Sequence, residues 1–480
     1  MTTLPLIKKL SVSLTAETIH DRLHQRPYSF FLDTGMRVEG LGHHSFVGAD
    51  PFLVFESKGS RITVTQNGQQ QVFTGHPFKE LKKLLELYKL PRAQTGLPFN
   101  GGAVGFFGYD LGRGLEVIPS LAEDDTDLPD CRLGFYDVLV GIDHLTGEVS
   151  LVSTGLPEKA PDRALARATA RLEEVEKIIS GPAPRRKKAP PAKSAGLPES
   201  HFTEQSYCAA VQRAIDYIAT GDIFIVNLSQ RFSTPQTMDS WKLYRKLRDI
   251  NPAPFAAFLG FDEIEVICAS PERFLKVTDK LVETRPIKGT RPRGKTRAED
   301  AALRRELWES KKDRAELVMI VDLERNDLGR VCKTGSVQVP ELYRLEEYPT
   351  VFHLVSTVVG ELPEDKDVVD LLEASFPGGS ITGAPKIRSM EIIEELEPVR
   401  RGIYTGSIGY IGFDGDADLN IVIRTLVAKN GRLYFQVGGG ITADSVPYKE
   451  YIETLDKARA LMRALGLEEE VDYRWSVSSV

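Results

Sequence analysis

The chain contains 480 residues, of which 41% are hydrophobic and 27% are charged, and its formal net charge is −7. This length exceeds the size at which a single core usually stops growing, so two domains, or one large domain with a subdomain, are expected. The acidic balance disfavours nucleic-acid binding, which depends on clustered Lys and Arg. No stretch reaches the roughly 20 apolar residues that a membrane span needs, so neither nucleic acid nor a membrane is an expected partner.

The four cysteines are scattered along the chain and form no CxxC pair. This distribution predicts reduced thiols in a cytoplasmic protein rather than a zinc or redox site. Residues 1–14 lack the basic and apolar regions of a secretory signal, which agrees with a cytoplasmic location.

Residues 1–180 are predicted to form an N-terminal subdomain that consists mainly of short strands. Helical patterns occupy residues 78–89 and 161–180. Residues 181–200, which include a basic run with several prolines, are predicted to be an exposed linker. The β-type runs, each bounded by Gly, Asn or Asp, are residues 30–33, 51–55, 61–64 and 137–143.

Residues 289–296 match the GxxxxGK[ST] pattern of a P-loop, which binds phosphates through backbone N–H groups. A helical pattern follows, and the apolar run 319–322 resembles a strand that ends in a magnesium-binding aspartate. However, residues 282–288 are charged, whereas the strand before a P-loop lies in a parallel sheet and is apolar. Pro292 also has no N–H to offer a phosphate. The sequence therefore disfavours nucleotide binding but keeps it as a remote alternative.

Several further runs, in the same order along the chain, resemble the chorismate-utilising enzymes, a family that includes anthranilate synthase, aminodeoxychorismate synthase, isochorismate synthase and salicylate synthase. The resemblance covers about residues 201–465 and extends more weakly to residues 101–110. It implies an α+β fold like that of anthranilate synthase component I, in which packed antiparallel β-sheets carry helices on the outside. Residues 201–470 would be the chorismate-binding catalytic domain. The matching runs are residues 269–274, 286–294, 315–316, 322–329, 353–356, 383–386, 420–425 and 444–447.

Glu450, Glu453 and Lys457 have the spacing i, i+3 and i+7, which places them on one face of a helix. Ser445 is predicted to cap this helix at its N-terminus, with a proline in the first turn. From periodicity alone, this face would be a solvated acidic surface. The resemblance implies instead that Glu450 and Glu453, together with Glu316, hold Mg²⁺ against one of the two carboxylates of chorismate.

The second carboxylate of chorismate requires cations and N–H donors. Arg424 can form a bidentate pair with it, glycines let backbone N–H groups approach closely, and residues 383–386 open a helix whose N-terminus favours anions. The residues that the resemblance places in the substrate pocket are Gly289, Thr290, His353, Thr382, Lys386, Tyr404, Arg424, Gly438, Gly439, Gly440 and Lys457.

Glu272 is the candidate general acid. The 4-hydroxyl of chorismate is a poor leaving group unless it is protonated as it departs, and a carboxyl that burial keeps protonated can supply that proton. On the residues alone, a salt bridge with Arg273 or another cation is the alternative role of Glu272. The resemblance favours the catalytic role.

Lys288 distinguishes the reactions within the family. The resemblance implies Ala at this position in anthranilate synthases and Lys in aminodeoxychorismate synthases, where the amine attacks C2 of chorismate before ammonia adds at C4. Repulsion from Arg285, Arg291 and magnesium would lower the pKa of the amine. This favours amination of chorismate without loss of pyruvate, a transaminase-class reaction of p-aminobenzoate and folate synthesis. The anthranilate synthase reaction is the alternative.

Three other features bear on the reaction. Residues 31–34 and 251–256 depart from the corresponding runs of tryptophan-inhibited anthranilate synthases. The resemblance implies Gln at position 225 in most members of the family and Lys in the hydroxylating members. This chain has Ile225, which has no base to activate water. No Gly-x-Cys-x-Gly motif surrounds any cysteine, so ammonia is expected to come from a separate glutamine amidotransferase subunit.

Overall fold

Two antiparallel β-sheets form the centre of the structure, a computed structural model that describes residues 4–10, 14–36, 41–182, 197–348 and 351–467. Each sheet contains twelve strands within these ranges. The basic run of the predicted linker lies outside the described residues. Strands and helices are numbered below in chain order.

The first sheet draws its strands from both halves of the chain. In spatial order it consists of β1 (Leu6–Leu10), β10 (Val149–Ser153), β9 (Val138–Asp143), β3 (His44–Gly48), β2 (Ser29–Asp33), β13 (Phe255–Phe261), β14 (Ile264–Ser270), β23 (Thr425–Lys429), β24 (Arg432–Ile441), β12 (Ile225–Pro235) and β11 (Glu199–Ser200), with β20 (Gly383–Ala384) paired to β12.

The second sheet also draws its strands from both halves of the chain. In spatial order it consists of β17 (Ile287–Pro292), β19 (Val351–Glu361), β16 (Leu281–Arg285), β15 (Arg273–Thr278), β22 (Ala417–Asn420), β21 (Ser407–Gly412), β7 (Gly102–Phe107), β8 (Cys131–Tyr136), β4 (Leu53–Lys58), β5 (Arg61–Gln66) and β6 (Gln69–Thr74), with β18 (Gln338–Glu347) paired to β19.

The sheets pack face to face, and helices cover their outer faces. Phe30 and Val266 of the first sheet share one buried cluster with Phe106 and Tyr410 of the second. Separate clusters lie between each sheet and its helices. This confirms the predicted α+β architecture. The helices are α1 (Ala16–Leu23), α2 (Pro77–Leu87), α3 (Pro161–Ser180), α4 (Glu204–Ala219), α5 (Ser240–Ile250), α6 (Arg297–Glu309), α7 (Lys311–Gly329), α8 (Val368–Ser375), α9 (Lys386–Leu396) and α10 (Pro447–Leu465).

Most local predictions for the N-terminal segment are confirmed. The helix expected at residues 161–180 is α3, the one expected at 78–89 is α2, and the β-type runs fall in β2, β4, β5 and β9. All four cysteines are free thiols. No helix among the described residues is long and apolar enough to cross a membrane.

The P-loop alternative is wrong. Residues 287–292 form β17, which is antiparallel to β19, and residues 319–322 lie inside α7 rather than in a strand. The N–H groups of Gly294 and Lys295 already donate, at 2.8 Å each, to the carboxylates of Asp300 and Glu299. A loop whose N–H groups are occupied by carboxylates repels phosphate.

Segments 1–180 and 201–470 share both sheets. β2 pairs with β13 in the first sheet, and β7 pairs with β21 in the second. The predicted boundary at residue 180 coincides with the end of α3 at Ser180. The division into two folding domains stays a prediction, but the hydrogen-bonded ladders run across it.

A fragment that begins at residue 197 tests this continuity. Without the N-terminal segment, β13 and β21 become exposed edges and the cluster between the sheets loses half of its wall, so we expect the fragment to aggregate. Size-exclusion chromatography and circular dichroism would show this, and co-expression with residues 1–182 should restore a soluble complex. A monomeric fragment that unfolds cooperatively would contradict the expectation.

Candidate active site

Helix α10 presents three charged side chains to strand β24. A Cβ atom at Gly439 would lie 3.3 Å from Glu453 Oε1, 3.5 Å from Glu450 Oε2 and 3.5 Å from Lys457 Nζ. The three groups therefore converge on one point of the strand, as the helical spacing predicted. Any side chain at position 439 would displace them, which explains the glycine.

The convergent groups differ in how they are neutralised. Lys457 Nζ lies 2.7 Å from Glu453 Oε1 and donates to Gly438 O at 2.8 Å, and its charge lowers the pKa of Glu453. Glu450 is buried, and burial raises its pKa. Glu450 thus remains a carboxyl that forms no ion pair with a described residue.

The prediction that Ser445 caps α10 is wrong. The helix begins at Pro447 after Val446, and no side chain caps it. Ser445 Oγ instead donates to Glu450 Oε1 at 2.7 Å and accepts the N–H of Thr442 at 3.0 Å. Because its hydroxyl is fixed at both ends, Ser445 orients the carboxylate of Glu450.

Glu316 approaches the same region from α7. Burial raises its pKa, and the charges of Lys288 and Glu453 both act on it. Lys312 Nζ lies 3.9 Å from Glu316 Oε1, at the limit of an ion pair. No group of three or more acidic, His or Cys side chains in the described ranges forms a ready-made metal cluster. The three carboxyls offer the oxygen donors that Mg²⁺ prefers. Glu450 and Glu453 meet at Gly439, and the charge of Glu453 acts on Glu316.

Lys288 lies on β17 opposite Leu354 of β19. Its ammonium donates to the backbone oxygen of Ser380 at 2.9 Å and is in no ion pair with a described residue. Burial lowers the pKa of Lys288, while the charges of Glu272 and Glu316 oppose that shift. The surroundings therefore favour a neutral amine, which is the nucleophilic form.

The two arginines that were predicted to lower this pKa are not among its causes. Arg285 is ion-paired with Glu346, and Arg291 is paired with Glu306 at 2.7 Å and with Asp313 at 3.1 Å. Their charges are neutralised away from Lys288, so desolvation of the amine replaces repulsion as the main cause.

Glu272 is only 5% exposed. Burial raises its pKa, against the opposing charge of Lys288 and hydrogen bonds from the Ser380 hydroxyl and the Ile287 N–H. The alternative salt bridge with Arg273 is absent, because Arg273 binds Asp418 and Glu283. A buried acid thus lies beside the candidate nucleophile.

Ser380 was not predicted to belong to the site. It lies in the short 3₁₀ turn Gly379–Ile381, where its carbonyl binds Lys288 and its hydroxyl binds Glu272. The two preceding glycines indicate a turn in the sequence, but nothing local indicates that this turn meets strand β17.

Arg424 provides a cation without a partner in the structure. It has a left-handed backbone conformation with φ of 51°, and its guanidinium has no hydrogen bond or ion pair with any described residue. Burial lowers its pKa. A half-buried, unpaired guanidinium is suited to an anionic ligand.

His353 adjoins this cation. Its Nδ1 lies 2.9 Å from Thr290 Oγ1, and its Nε2 is buried without a hydrogen-bond partner. Burial and the charge of Arg424 lower the pKa of His353 to about 3, so the ring is neutral at physiological pH. The free Nε2 next to Arg424 is a further polar contact for an anion.

The remaining predicted pocket residues lie in the two sheets and in the segments next to them. Gly438 to Gly440 stay in the ladder with β12, where they pair with residues 227–229, and Gly289 has φ of 78°. Tyr404 is buried and bonded to Asn227, and Thr382 Oγ1 donates to Gly378 O at 3.0 Å. These last two side chains support the wall of the site.

The Lys386 side chain forms its contacts within the protein. Its ammonium is ion-paired with Asp327 and donates to Ser375 O at 2.8 Å. The predicted contact between this lysine and substrate therefore lacks a free ammonium in the structure.

Ile225 forms an apolar part of the wall. It is 2% exposed, and its Cδ1 would lie 3.1 Å from a Cβ at Gly440. The side chain thus fills the space beside the strand that faces the α10 carboxyls, and it offers no polar atom there.

The two runs that depart from tryptophan-inhibited relatives, residues 31–34 and 251–256, face each other across one cavity of about 150 Å³ between the sheets. None of the site residues described above lines this cavity. Its walls include Leu32, Asp33 and Thr34 from one run and Pro254, Phe255 and Ala256 from the other.

Comparisons with known proteins agree with this geometry. Aminodeoxychorismate synthase component 1 of Bacillus subtilis is 43% identical over 434 residues, which cover 89% of this chain and 90% of that protein. Anthranilate synthase component 1 of Acetivibrio thermocellus is 40% identical over 459 residues, which cover 94% and 92%. The crystal structure of anthranilate synthase component I from Streptococcus pneumoniae superposes with a TM-score of 0.77 at 36% identity, covering 87% of this chain and 91% of that one.

A family model described as chorismate binding enzyme matches residues 24–463, which is most of the chain. The match includes the acid, the lysine, the unpaired guanidinium and the α10 carboxyls. The chain therefore belongs to the chorismate-binding enzymes.

Proposed function

We propose that this chain aminates chorismate at C4 to give 4-amino-4-deoxychorismate, a precursor of p-aminobenzoate and folate, as the names of its aminodeoxychorismate synthase relatives suggest. Relatives named anthranilate synthase match at similar identity, so overall similarity does not choose between the two reactions. The observation that carries the proposal is the desolvated Lys288 amine, free of any ion pair with the described residues, beside the buried acid Glu272.

Substrate binding divides between two groups of residues. Arg424 pairs with one carboxylate of chorismate, supported by the free Nε2 of His353. Glu316, Glu450 and Glu453 would hold Mg²⁺. Bound there, the ion would supply the positive charge that neutralises the other carboxylate. The proposal is supported by the buried carboxyl of Glu450 and the partly buried carboxyl of Glu316: burial raises the pKa of both, and a bound cation would offset that cost.

The first step transfers the substrate to Lys288. The lone pair of the neutral Nζ attacks C2, the ring double bonds shift, and the C4–O bond breaks. Glu272 gives its proton to the departing oxygen, so water leaves and Glu272 becomes a carboxylate. The hydrogen bond from Lys288 to Ser380 O fixes the amine beside the acid.

The second step releases the enzyme. Ammonia attacks C4, the double bonds return, and the C2–N bond breaks to free Lys288 as a neutral amine. The new ammonium at C4 gives a proton to the Glu272 carboxylate, which restores the acid. The enolpyruvyl group is untouched, so the net reaction consumes chorismate and ammonia and produces the amino acid and water.

The ammonia source is proposed to be a separate glutamine amidotransferase subunit in the cytoplasm. The relatives are named as component 1 of their enzymes, and no cysteine of this chain lies in a glutaminase-type motif. Ammonium salts at high pH should replace the partner in an assay of this chain alone.

Lys288→Ala tests the nucleophile. With chorismate, ammonia and Mg²⁺, wild type should form 4-amino-4-deoxychorismate without pyruvate, and the variant should lose this activity by about 100-fold or more because the covalent route is removed. Chromatography of the products, with an assay for pyruvate, measures both.

Lys295→Ala is the matched control, since this lysine lies in the excluded P-loop pattern and should be dispensable. A Lys288→Ala protein that makes the same product at the wild-type rate would refute the nucleophile. Anthranilate and pyruvate from wild type would favour the other reaction.

The pH dependence of kcat/KM should be bell-shaped. Activity requires a neutral Lys288 and a protonated Glu272, so it falls below the pKa of the amine and above the pKa of the acid. Glu272→Gln should lower kcat by about 10²–10⁴-fold. Because glutamine does not ionise, the same variant should lose the basic limb and keep only the limb that belongs to the amine. A bell-shaped profile that survives the replacement of Glu272 would show that this carboxyl is not the acid.

Glu450→Gln tests the proposed metal site. Loss of a ligand charge should raise the Mg²⁺ concentration for half-maximal activity by about tenfold or more. Asp456→Asn, an exposed acid of the same helix that pairs with Arg459, is the control and should leave the Mg²⁺ dependence unchanged. An equal Mg²⁺ dependence in wild type and Glu450→Gln would rule out this ligand.

A further inference from the structure

Helix α7 buries an acidic side chain within its apolar packing face. Leu317, Ile320, Val321 and Leu328 follow one another along this face with helical spacing, and Glu324 lies among them with only 3% exposure. A buried carboxyl costs free energy unless it is hydrogen-bonded. The reaction steps proposed above make no use of it.

Two neutral donors hold the Glu324 carboxyl. Its Oε2 accepts from Thr284 Oγ1 at 3.4 Å, and the backbone N–H of Gly379 also donates to the carboxyl. A Cβ at Gly379 would lie 3.2 Å from Glu324 Oε1, so glycine permits this close approach. Glu324 thereby joins strand β16, which leads into Lys288, to the turn that begins at Gly379.

The next residue of that turn contacts both reacting side chains. The carbonyl of Ser380 accepts from Lys288 Nζ, and its hydroxyl is hydrogen-bonded to Glu272. The Gly379 N–H, which Glu324 binds, is therefore one residue away from the Ser380 carbonyl and hydroxyl, which bind Lys288 and Glu272.

The carboxyl of Glu324 forms no ion pair with a described residue. Lys386, which faces it from α9, is taken by Asp327, and the other charged groups that act on it are Asp327 and Glu272, both acidic. Burial and these neighbours raise the pKa of Glu324 to about 8. The raised pKa favours the neutral acid, which can accept and donate without adding negative charge beside Glu272.

We propose that Glu324 is a positioning residue of this site: its carboxyl ties the turn at Gly379 to strand β16 and so holds Ser380 against both Glu272 and Lys288. The inference rests on the proposed amination chemistry and extends it to a side chain that does not touch substrate. Displacement of reacting groups by about 1 Å can lower a rate by about 100-fold, so the tie controls kcat more than substrate affinity.

Glu324→Gln and Glu324→Leu separate positioning from packing. Glutamine keeps an acceptor for Gly379 and a donor toward Thr284, whereas leucine keeps little more than the volume. We expect kcat within about threefold of wild type for the glutamine variant and at least about tenfold lower for the leucine variant, with the KM for chorismate changed less than about threefold. Asp322→Asn, an exposed acid of the same helix, should leave both constants unchanged.

The assay follows loss of chorismate, while products are identified separately by chromatography. A product other than the aminated one would refute the proposed function and leave the role of Glu324 testable. A leucine variant with wild-type kcat, or a glutamine variant as impaired as the leucine variant, would overturn the role of Glu324. If the leucine variant does not fold, Thr284→Val, which removes one donor, replaces it. A lowered kcat at unchanged KM then supports the tie, and an unchanged kcat refutes it.

Discussion

Two neighbouring passages of the chain, each of which connects a strand of one sheet to a strand of the other, position the acid and the guanidinium of the site. Glu272 lies where the chain passes from β14 in the first sheet to β15 in the second. Arg424 lies where the chain returns from β22 in the second sheet to β23 in the first. Ser270 Oγ donates to Ile421 O at 2.6 Å, and the Ile421 N–H donates to Glu272 O at 3.0 Å. Because each passage is anchored by strands in both sheets, the backbone that carries the acid and the guanidinium is held by both sheets. Face-to-face packing thus holds the proton donor at a fixed place relative to the proposed carboxylate-binding cation.

The reactivity of the Lys288 and Glu272 pair follows from burial. For both side chains, desolvation is the largest influence on the pKa, and it outweighs the attraction between their charges. A neutral amine with a neutral acid contains as many protons as an ammonium with a carboxylate. One proton transfer from the ammonium to the carboxylate therefore produces the reactive form without exchange with solvent. A low-dielectric site favours the neutral form because each charge loses its hydration. The site can hold both groups ready at a pH where neither would be reactive in water.

The sequence predicts features that depend on local spacing and fails where a partner lies far along the chain. The helix α3 and the common face of Glu450, Glu453 and Lys457 followed from periodicity alone. The fold and the roles of Glu272 and Lys288 required the family resemblance. The partner of Arg285 could not be predicted, because Glu346 lies on β18 and only the sheet brings them together. Ser445 was misassigned because a hydroxyl before a helix usually caps it, whereas the buried Glu450 carboxylate competes successfully for that hydroxyl.

Selection of the nucleophile then depends on two features: Lys288 supplies an amine, and the wall of the site at Ile225 supplies no base that could activate water. The hydroxylating members of the family are expected to have a lysine where this chain has Ile225, and a water molecule needs such a base before it can attack C2. Ile225 packs against Gly440, beside the glycine that faces the α10 carboxyls, and provides neither a base nor a hydrogen bond. Water near this wall stays a weak nucleophile, whereas desolvation makes the amine of Lys288 a strong one. In the proposed reaction, an apolar side chain and a buried lysine therefore act in the same direction: one disfavours hydroxylation and the other favours amination.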